Sequence, residues 1–160
     1  MGVVVKDNEL IMSSVFAYKT WGVYGDNVVG LNEALTDTTE EAKADYNGVN
    51  NTAMIVAQYG EEANYAATYC YNYAPTGFET SKNKWYLPAV GELYRYVYGN
   101  NDKLSATYIN HFERASFNIY FWSSTEVSST IAYSVYAPNE FINYASKEIF
   151  GTVACFLAID

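Results

Sequence analysis

The chain has 160 residues, half of them apolar, with 18 acidic and 9 basic side chains and a formal net charge of -9. This length suits one domain with its own core, spanning residues 1–160, and the 17 Tyr exclude intrinsic disorder. The acidic balance excludes nucleic acid and anionic membrane surfaces as main partners, because proteins that bind them display basic stripes.

The first residues bear on localisation. Lys6, Asp7 and Glu9 lie where a signal peptide needs its apolar core, and no stretch approaches the roughly 18 apolar residues of a membrane span. If Met1 is native, nothing in this sequence directs the chain through a membrane. If Met1 and Gly2 are additions, the chain is a fragment whose export signal is missing.

The N-terminal part predicts β structure followed by a short helix. Residues 3–18 are rich in β-branched side chains around a turn at residues 7–8, which is typical of a strand or hairpin. A capping box from Thr38 to Glu41 then predicts a short helix that ends at residues 47–48.

Helices are predicted through the middle of the chain. One starts at residue 51 or 52 and ends at 60, and another covers 62–73. The clearest has Pro88 at its first position and Gly99 as a left-handed stop, and a further helix runs over 102–112.

The C-terminal third differs in composition, since residues 115–159 hold ten aromatic but only four charged residues. Strands are predicted there, near 119–124, 131–137, 141–149 and 152–159. An order of β structure, helices and then strands indicates an α+β domain rather than βαβ units.

Catalytic and metal-binding patterns are weak. His111 has no partner for nucleophilic catalysis and is predicted at a helix end, and no nucleotide-binding glycine motif occurs. Cys70 and Cys155 fit no redox or zinc spacing, so two buried free thiols are predicted, and no metal or cofactor.

Acidic residues in the first half leave an enzyme as a rival hypothesis. Its site would be a deep pocket holding two carboxylates, drawn from Glu33, Asp37, Glu40 and Glu41. Acidic residues near helix starts are also what the helix dipole favours, so a solvated acidic face is the simpler interpretation.

The tail mixes Tyr with Ser and Asn, a composition typical of recognition surfaces. Alternation predicts that Ser134 and Tyr136 point outward from the sheet. Five apolar side chains are predicted to form its buried side: Phe121, Trp122, Tyr133, Val135 and Phe156.

Several motifs occur in a fixed order: WYLPAVGELY at 85–94, YFWSSTE at 120–126, AYSV at 132–135 and VACFLAI at 153–159, with NNTAMIVAQYG upstream at 50–60. They resemble a family of bacterial and phage surface domains with a C-type-lectin-like fold, which includes the variable proteins of diversity-generating retroelements. The resemblance covers roughly residues 48–159 and is more specific for fold than for function.

The resemblance implies that the first and last strands pair and that Trp122 is scaffold. It also implies that ligand-binding residues are scattered through the C-terminal segment. The positions that match by spacing are Tyr120, Ser128, Thr130, Ile131, Ser134, Tyr136, Asn139, Phe141, Asn143 and Tyr144.

This sequence departs from the family pattern at three places. Tyr133 replaces a Trp, and Ala154-Cys155 replaces an Arg and its neighbour. Residues 137–139, Ala-Pro-Asn, lack the carboxylate of the calcium-dependent sugar motif, so calcium-mediated sugar binding is not predicted.

The leading hypothesis is a non-catalytic module that binds a protein or glycan on another cell or particle surface. In its sharper form it is a retroelement-diversified variable protein of a gut phage or its bacterial host, displayed on a virion or outside the cell. The alternatives are a fixed adhesin or a structural module of a virion or pilus and, from another class, the carboxylate enzyme.

Overall fold

The structure, a computed structural model, describes residues 2–7, 9–31, 39–139 and 141–159. The α-helices in these ranges are α1 (Thr39–Ala42), α2 (Gly48–Tyr59), α3 (Ala66–Asn72), α4 (Val90–Tyr96) and α5 (Asn101–His111). The strands are β1 (Gly2–Lys6), β2 (Leu10–Ser13), β3 (Ala17–Lys19), β4 (Tyr120–Glu126), β5 (Ile131–Tyr136), β6 (Ile142–Ser146), β7 (Gly151–Val153) and β8 (Phe156–Ala158).

The strands form two sheets, and in sequence the helices lie between β3 and β4. The smaller sheet has the order β1-β2-β8, and the larger has the order β3-β7-β4-β5-β6. Neighbouring strands are antiparallel except β4 and β7, which are parallel. This arrangement confirms the predicted α+β class.

The N-terminal hairpin is confirmed, but the predicted pairing of first and last strands is wrong. β1 pairs with β2, and β8 pairs with β2 through Leu10 opposite Ala158. The outer edge of β1 is occupied instead, because the Asn100 side-chain amide donates to Val5 O at 3.1 Å. The last strand therefore takes the free side of β2.

The final predicted strand, 152–159, is split between the two sheets. β7 ends at Val153 in the larger sheet, and β8 begins at Phe156 in the smaller one. Between them Ser13 holds the crossing, since its N–H donates to Cys155 O at 2.8 Å and its hydroxyl accepts from Cys155 N at 3.0 Å. The predicted strand over 141–149 is also shorter, and its last three residues form a turn.

Two helix starts differ from prediction for reasons of packing. α2 begins three to four residues early, at Gly48, where a Cβ would overlap the Tyr86 ring and the Glu92 carboxylate. Pro88 precedes α4 rather than opening it, because Pro88 O accepts from Ser124 N at 2.8 Å and belongs to an extended segment against β4.

Two helix ends differ as well. α1 ends at Ala42 rather than near 47–48, and Thr38 of the predicted capping box lies outside the described residues. Gly99 is not a left-handed stop, because residues Tyr98–Asn100 form a 3-10 turn that leads directly into α5.

The core has two parts on opposite sides of the larger sheet. Phe121, Tyr133 and Val135 pack with α4 and α5, whereas Trp122 packs with residues of α2 and α3. All three of the former, together with Trp122 and Phe156, are buried, which confirms their predicted burial. The prediction that the five share one side of a sheet is wrong, because Trp122 faces away from Phe121 and Phe156 belongs to the smaller sheet.

The prediction of free thiols is wrong, because Cys70 and Cys155 form a disulfide with a Cα–Cα distance of 5.2 Å. The bond ties α3 to the crossing between β7 and β8 and closes a loop with a sequence separation of 85. Such long-range pairing follows from the fold and not from cysteine spacing.

A buried carboxylate couples the fold to pH. Glu92 is 7% exposed, accepts from Ala89 N at 2.7 Å and Tyr86 Oη at 2.9 Å, and burial raises its pKa to about 7. Asp45 nearby adds to the rise. The folded state therefore binds a proton at Glu92 more tightly than the unfolded chain does.

We expect this proton to make the chain more stable in mild acid. The contribution of protonated Glu92 to the free energy of unfolding is fully present below the unfolded pKa near 4.5. It is lost as pH rises through about 7. Between about pH 5 and pH 8 the free energy of unfolding of the wild type should fall by about 2 to 3 kcal/mol more than that of Glu92→Gln. Urea titrations across this range measure both slopes, and parallel slopes would contradict the assignment.

Candidate binding face

Strand register places alternate side chains of β4, β5 and β6 on one face of the larger sheet. Tyr120 lies opposite Tyr136, Trp122 opposite Ser134, and Ser134 opposite Asn143. Because side chains alternate along each strand, these five share a face, here called the outer face. Phe121, Tyr133 and Val135 take the opposite, inner face.

The outer face forms a groove of about 290 Å³ where it is not covered by the N-terminal half. This aromatic groove is lined by Tyr120, Trp122, Ser134, Asn143, Ala145, Ile149, Phe150 and Gly151. Phe150 is 69% exposed and Tyr120 is 46% exposed, so both rings offer apolar area to a partner.

The floor of the aromatic groove is fixed by the Trp122 indole. Trp122 is 2% exposed, and its Nε1 donates to Lys19 O at 3.1 Å. Gly151 lies directly against the indole, and a Cβ there would overlap it. Any side chain at residue 151 would displace either the floor or strand β7, so the groove depends on this glycine.

One wall is a pair of stacked tyrosines on neighbouring strands. The Tyr120 and Tyr136 rings lie 4.5 Å apart between centroids at an interplanar angle of 26°. Cross-strand aromatic pairs of this kind stabilise the sheet and hold each other's rotamers. The wall is therefore preformed, which reduces the entropy lost when a partner binds.

Polar groups in the groove are few and uncharged. Ser134 and Asn143 supply a hydroxyl and an amide, and no lining residue carries a charge. The expectation that Ser134 is exposed is wrong, because this small side chain lies between larger neighbours and is only 6% exposed. An arrangement of aromatic walls with a few hydrogen-bonding groups suits an uncharged ligand.

The ten positions predicted to bind ligand do not form one surface. Tyr120, Ser134, Tyr136 and Asn143 lie together on the outer face. The other six lie elsewhere: Ser128, Thr130, Ile131, Asn139, Phe141 and Tyr144.

Two turns and the inner face hold these six residues. Ser128 and Thr130 bond each other at 3.2 Å in the β4–β5 turn. Asn139 and Phe141 belong to the β5–β6 turn, where Asn139 Oδ1 accepts from Phe141 N at 3.1 Å. Ile131, at the start of β5, and Tyr144, at the centre of β6, align with the inner face.

Five groove residues were not predicted as site residues: Trp122, Ala145, Ile149, Phe150 and Gly151. Sequence reasoning assigned residue 149 to a strand and treated Trp122 as scaffold only. The available signal was an apolar pair after Lys147 and Glu148 and directly before Gly151, at a place where the chain turns.

The acidic site required by the enzyme hypothesis is not found among the described residues. Glu40 and Glu41 are exposed, while Glu33 and Asp37 lie outside the described ranges. Buried Asp45 is committed to structure, since it accepts from Thr125 Oγ1 at 2.7 Å, from Asn51 Nδ2 at 3.0 Å and from Asn47 N.

Elsewhere the described residues offer neither a buried histidine nor a group suited to metal binding. His111 is exposed at the C-terminal end of α5, as predicted. The described part of the chain holds no group of three His, Cys, Asp or Glu side chains that could ligate a metal ion. Nor does it contain a helix long and apolar enough to cross a bilayer.

Two further depressions differ in character from the aromatic groove. One, of about 430 Å³, is polar and lies at the start of α5 near Asp102. The other, of about 380 Å³, is apolar and lies beside β8, where Phe78 and Trp85 line it. Of these three, the aromatic groove is the one that combines residues from four adjacent strands of one sheet, β7, β4, β5 and β6.

Comparison with known proteins places the fold. The sequence matches no protein-family model and no curated protein. Its structure is similar to that of a fimbrial protein from Bacteroides ovatus, with a TM-score of 0.62 and 17% sequence identity. The match covers 93% of this chain and 35% of the fimbrial protein, so this chain spans about a third of that protein's length. At this identity the likeness shows a shared fold.

Proposed function

We propose that this chain is a non-catalytic binding module of a bacterial surface assembly, acting as a fixed adhesin or structural subunit. The observation that carries the proposal is the aromatic groove, an uncharged and preformed site on the outer face. Its partner would be a protein or glycan on another surface, contacted through Tyr120 and Phe150.

The fold comparison and the disulfide both support a surface location. The structural neighbour is a fimbrial protein, and fimbriae are cell-surface structures. The Cys70–Cys155 bond belongs to an oxidising compartment, because cytosolic thiols are kept reduced. A cell-surface or extracellular setting satisfies both.

The fixed module is a better proposal than a retroelement-diversified protein. Diversification needs its variable positions on one shared surface, yet Ile131 and Tyr144 align with the inner face. The two most exposed groove side chains, Ile149 and Phe150, are not among those ten.

A C-type-lectin-like fold remains our proposal for the architecture. The WYLPAVGELY and YFWSSTE motifs support it, and both lie at the junction of α4 with β4, where Val90 N donates to Thr125 Oγ1 at 3.0 Å. Termini that meet on the same small sheet, on either side of β2, fit it as well.

Alanine at Phe150 should weaken binding without unfolding the chain. When an exposed aromatic ring packs against the partner, removing it costs on the order of 2 kcal/mol of binding free energy, which is about a thirtyfold rise in Kd. The measurement is binding to immobilised mucin, before and after enzymatic removal of its glycans, which separates glycan from protein recognition.

Phe78→Ala is the matched control, because Phe78 is 60% exposed but lines the depression beside β8. Equal loss for Phe78→Ala and Phe150→Ala would refute a specific role for the aromatic groove. Loss for Phe78→Ala alone would move the site to the smaller sheet.

A further inference from the structure

Each of the two sheets has two edge strands, and at or next to three of these four edges the chain contacts other parts of itself. On β1 a bulge falls between Val4 and Lys6 and the Asn100 amide takes Val5 O. On β8, Phe156 exchanges two backbone hydrogen bonds of 2.9 Å with Tyr86. On β3 the chain continues into a bridge between Thr20 and Tyr65.

The fourth edge, β6, has backbone groups directed away from the sheet. Tyr136 N donates to Phe141 O at 3.0 Å, and Lys147 N donates to Thr130 O at 2.9 Å. In an antiparallel ladder alternate residues bond the same neighbour, so the odd-numbered residues of β6 form the hydrogen bonds to β5. The N–H and C=O groups of Ile142 and Tyr144 therefore point outward, and within the described ranges nothing bonds them.

β6 also lacks the features that usually protect an edge strand. Its sequence, INYAS, contains no charge, proline or glycine, and it pairs along all five residues. Tyr144, at its centre, is 56% exposed, and Phe141 beside it is 52% exposed. Natural edge strands are normally shielded by charges, bulges or covering loops, and an unshielded one accepts another strand.

We propose that the β6 edge pairs with the β6 edge of a second copy of this chain, antiparallel and about a two-fold axis at Tyr144. This register overlaps all five residues, and Tyr144 exchanges both backbone hydrogen bonds with its counterpart. Ile142 lies opposite Ser146 of the other copy. Ser146 O already accepts from Ile149 N at 3.2 Å, and a carbonyl has a second lone pair.

The five residues of β6 place no charge in the contact between two copies. Two chains of charge -9 repel each other, and β6 offers a contact without charge. The larger sheets of the two copies, with five strands each, then form one continuous sheet of ten strands. Side chains on the outer face of one copy lie on the same side of this sheet as those of the other copy. The aromatic grooves of both copies then lie on the same face, next to each other across the new ladder.

Sedimentation equilibrium from about 10 μM to about 1 mM tests the pairing, since a contact this small binds weakly. We expect a monomer–dimer equilibrium that salt strengthens by screening repulsion. Tyr144→Lys should raise the dimer Kd about tenfold, because it removes a cross-strand ring pair and places like charges opposite each other. Tyr144→Pro, which removes only an outward donor, should act in the same direction.

Tyr18→Lys is the matched control, since Tyr18 is 66% exposed on β3 at the opposite edge of the same sheet. It should leave the dimer unchanged, and circular dichroism should show that all variants remain folded. A wild type that stays monomeric at about 1 mM overturns the proposal. So does a dimer that Tyr144→Lys leaves intact, or a monomer whose β6 edge captures a different protein.

Discussion

Alanine at both Cys70 and Cys155 should lower the free energy of unfolding by about 4 kcal/mol, the value expected for opening a loop of this length. Both cysteines are fully buried, so the bond also holds α3 against the crossing between the two sheets. For a chain of this size the melting temperature should fall by roughly 10 °C. Chemical or thermal unfolding, followed by circular dichroism, measures either quantity.

The same experiment with reductant provides the control. Reducing agent should destabilise the wild type by a similar amount and leave the doubly substituted chain unaffected. Because the sulfurs are buried, reduction should require opening of the fold and proceed slowly without denaturant. Equal stability of the wild type with and without reductant would contradict the assigned role.

Lys147→Met should be the most damaging single substitution that keeps side-chain length. Lys147 is fully buried, pairs with Glu126, donates to Asp26 O at 2.7 Å and lies 4.7 Å from the Trp21 ring centroid. Without the lysine, Glu126 stays buried at 3% exposure and loses the ammonium group that pairs with it. Breaking a buried pair in this way costs about 3 to 5 kcal/mol.

A double-mutant cycle separates the ion pair from the packing of the lysine stem. Lys147→Met combined with Glu126→Leu should recover much of the loss, because the buried charge is then gone. Lys82→Met, at an exposed position, should change the free energy of unfolding by less than about 0.5 kcal/mol. If Lys147→Met costs no more than Lys82→Met, the pair does not hold the fold together.

The strands of the tail could be predicted because their pattern is local. The aromatic and β-branched residues near 119–124 and 131–137 correctly predicted β4 and β5, although nearly all residues of both strands are buried and Trp122 faces away from Phe121. The α+β class followed from the order of elements. Boundaries were less certain where packing decides them, as at Gly48, whose early helix start depends on contact with Tyr86.

Long-range pairings could not be predicted from one sequence. Charge alone marks Lys147 and Glu126 as surface residues, and only the segment at Asp26 to Val28, folded over them, explains their burial. The candidate site shows the same limit. Alternation indicated Tyr136, and the family resemblance added Tyr120 and Asn143. Phe150 reaches the groove through a turn whose direction depends on β7 and the space left by Gly151.

The disulfide also determines how the chain would carry a mechanical load. Tension applied before Cys70 and after Cys155 passes from one cysteine to the other through the covalent bond. Every residue of the aromatic groove lies between the two cysteines and is therefore bypassed by the pulling force. The aromatic groove therefore stays unstretched when force is applied across the two cysteines.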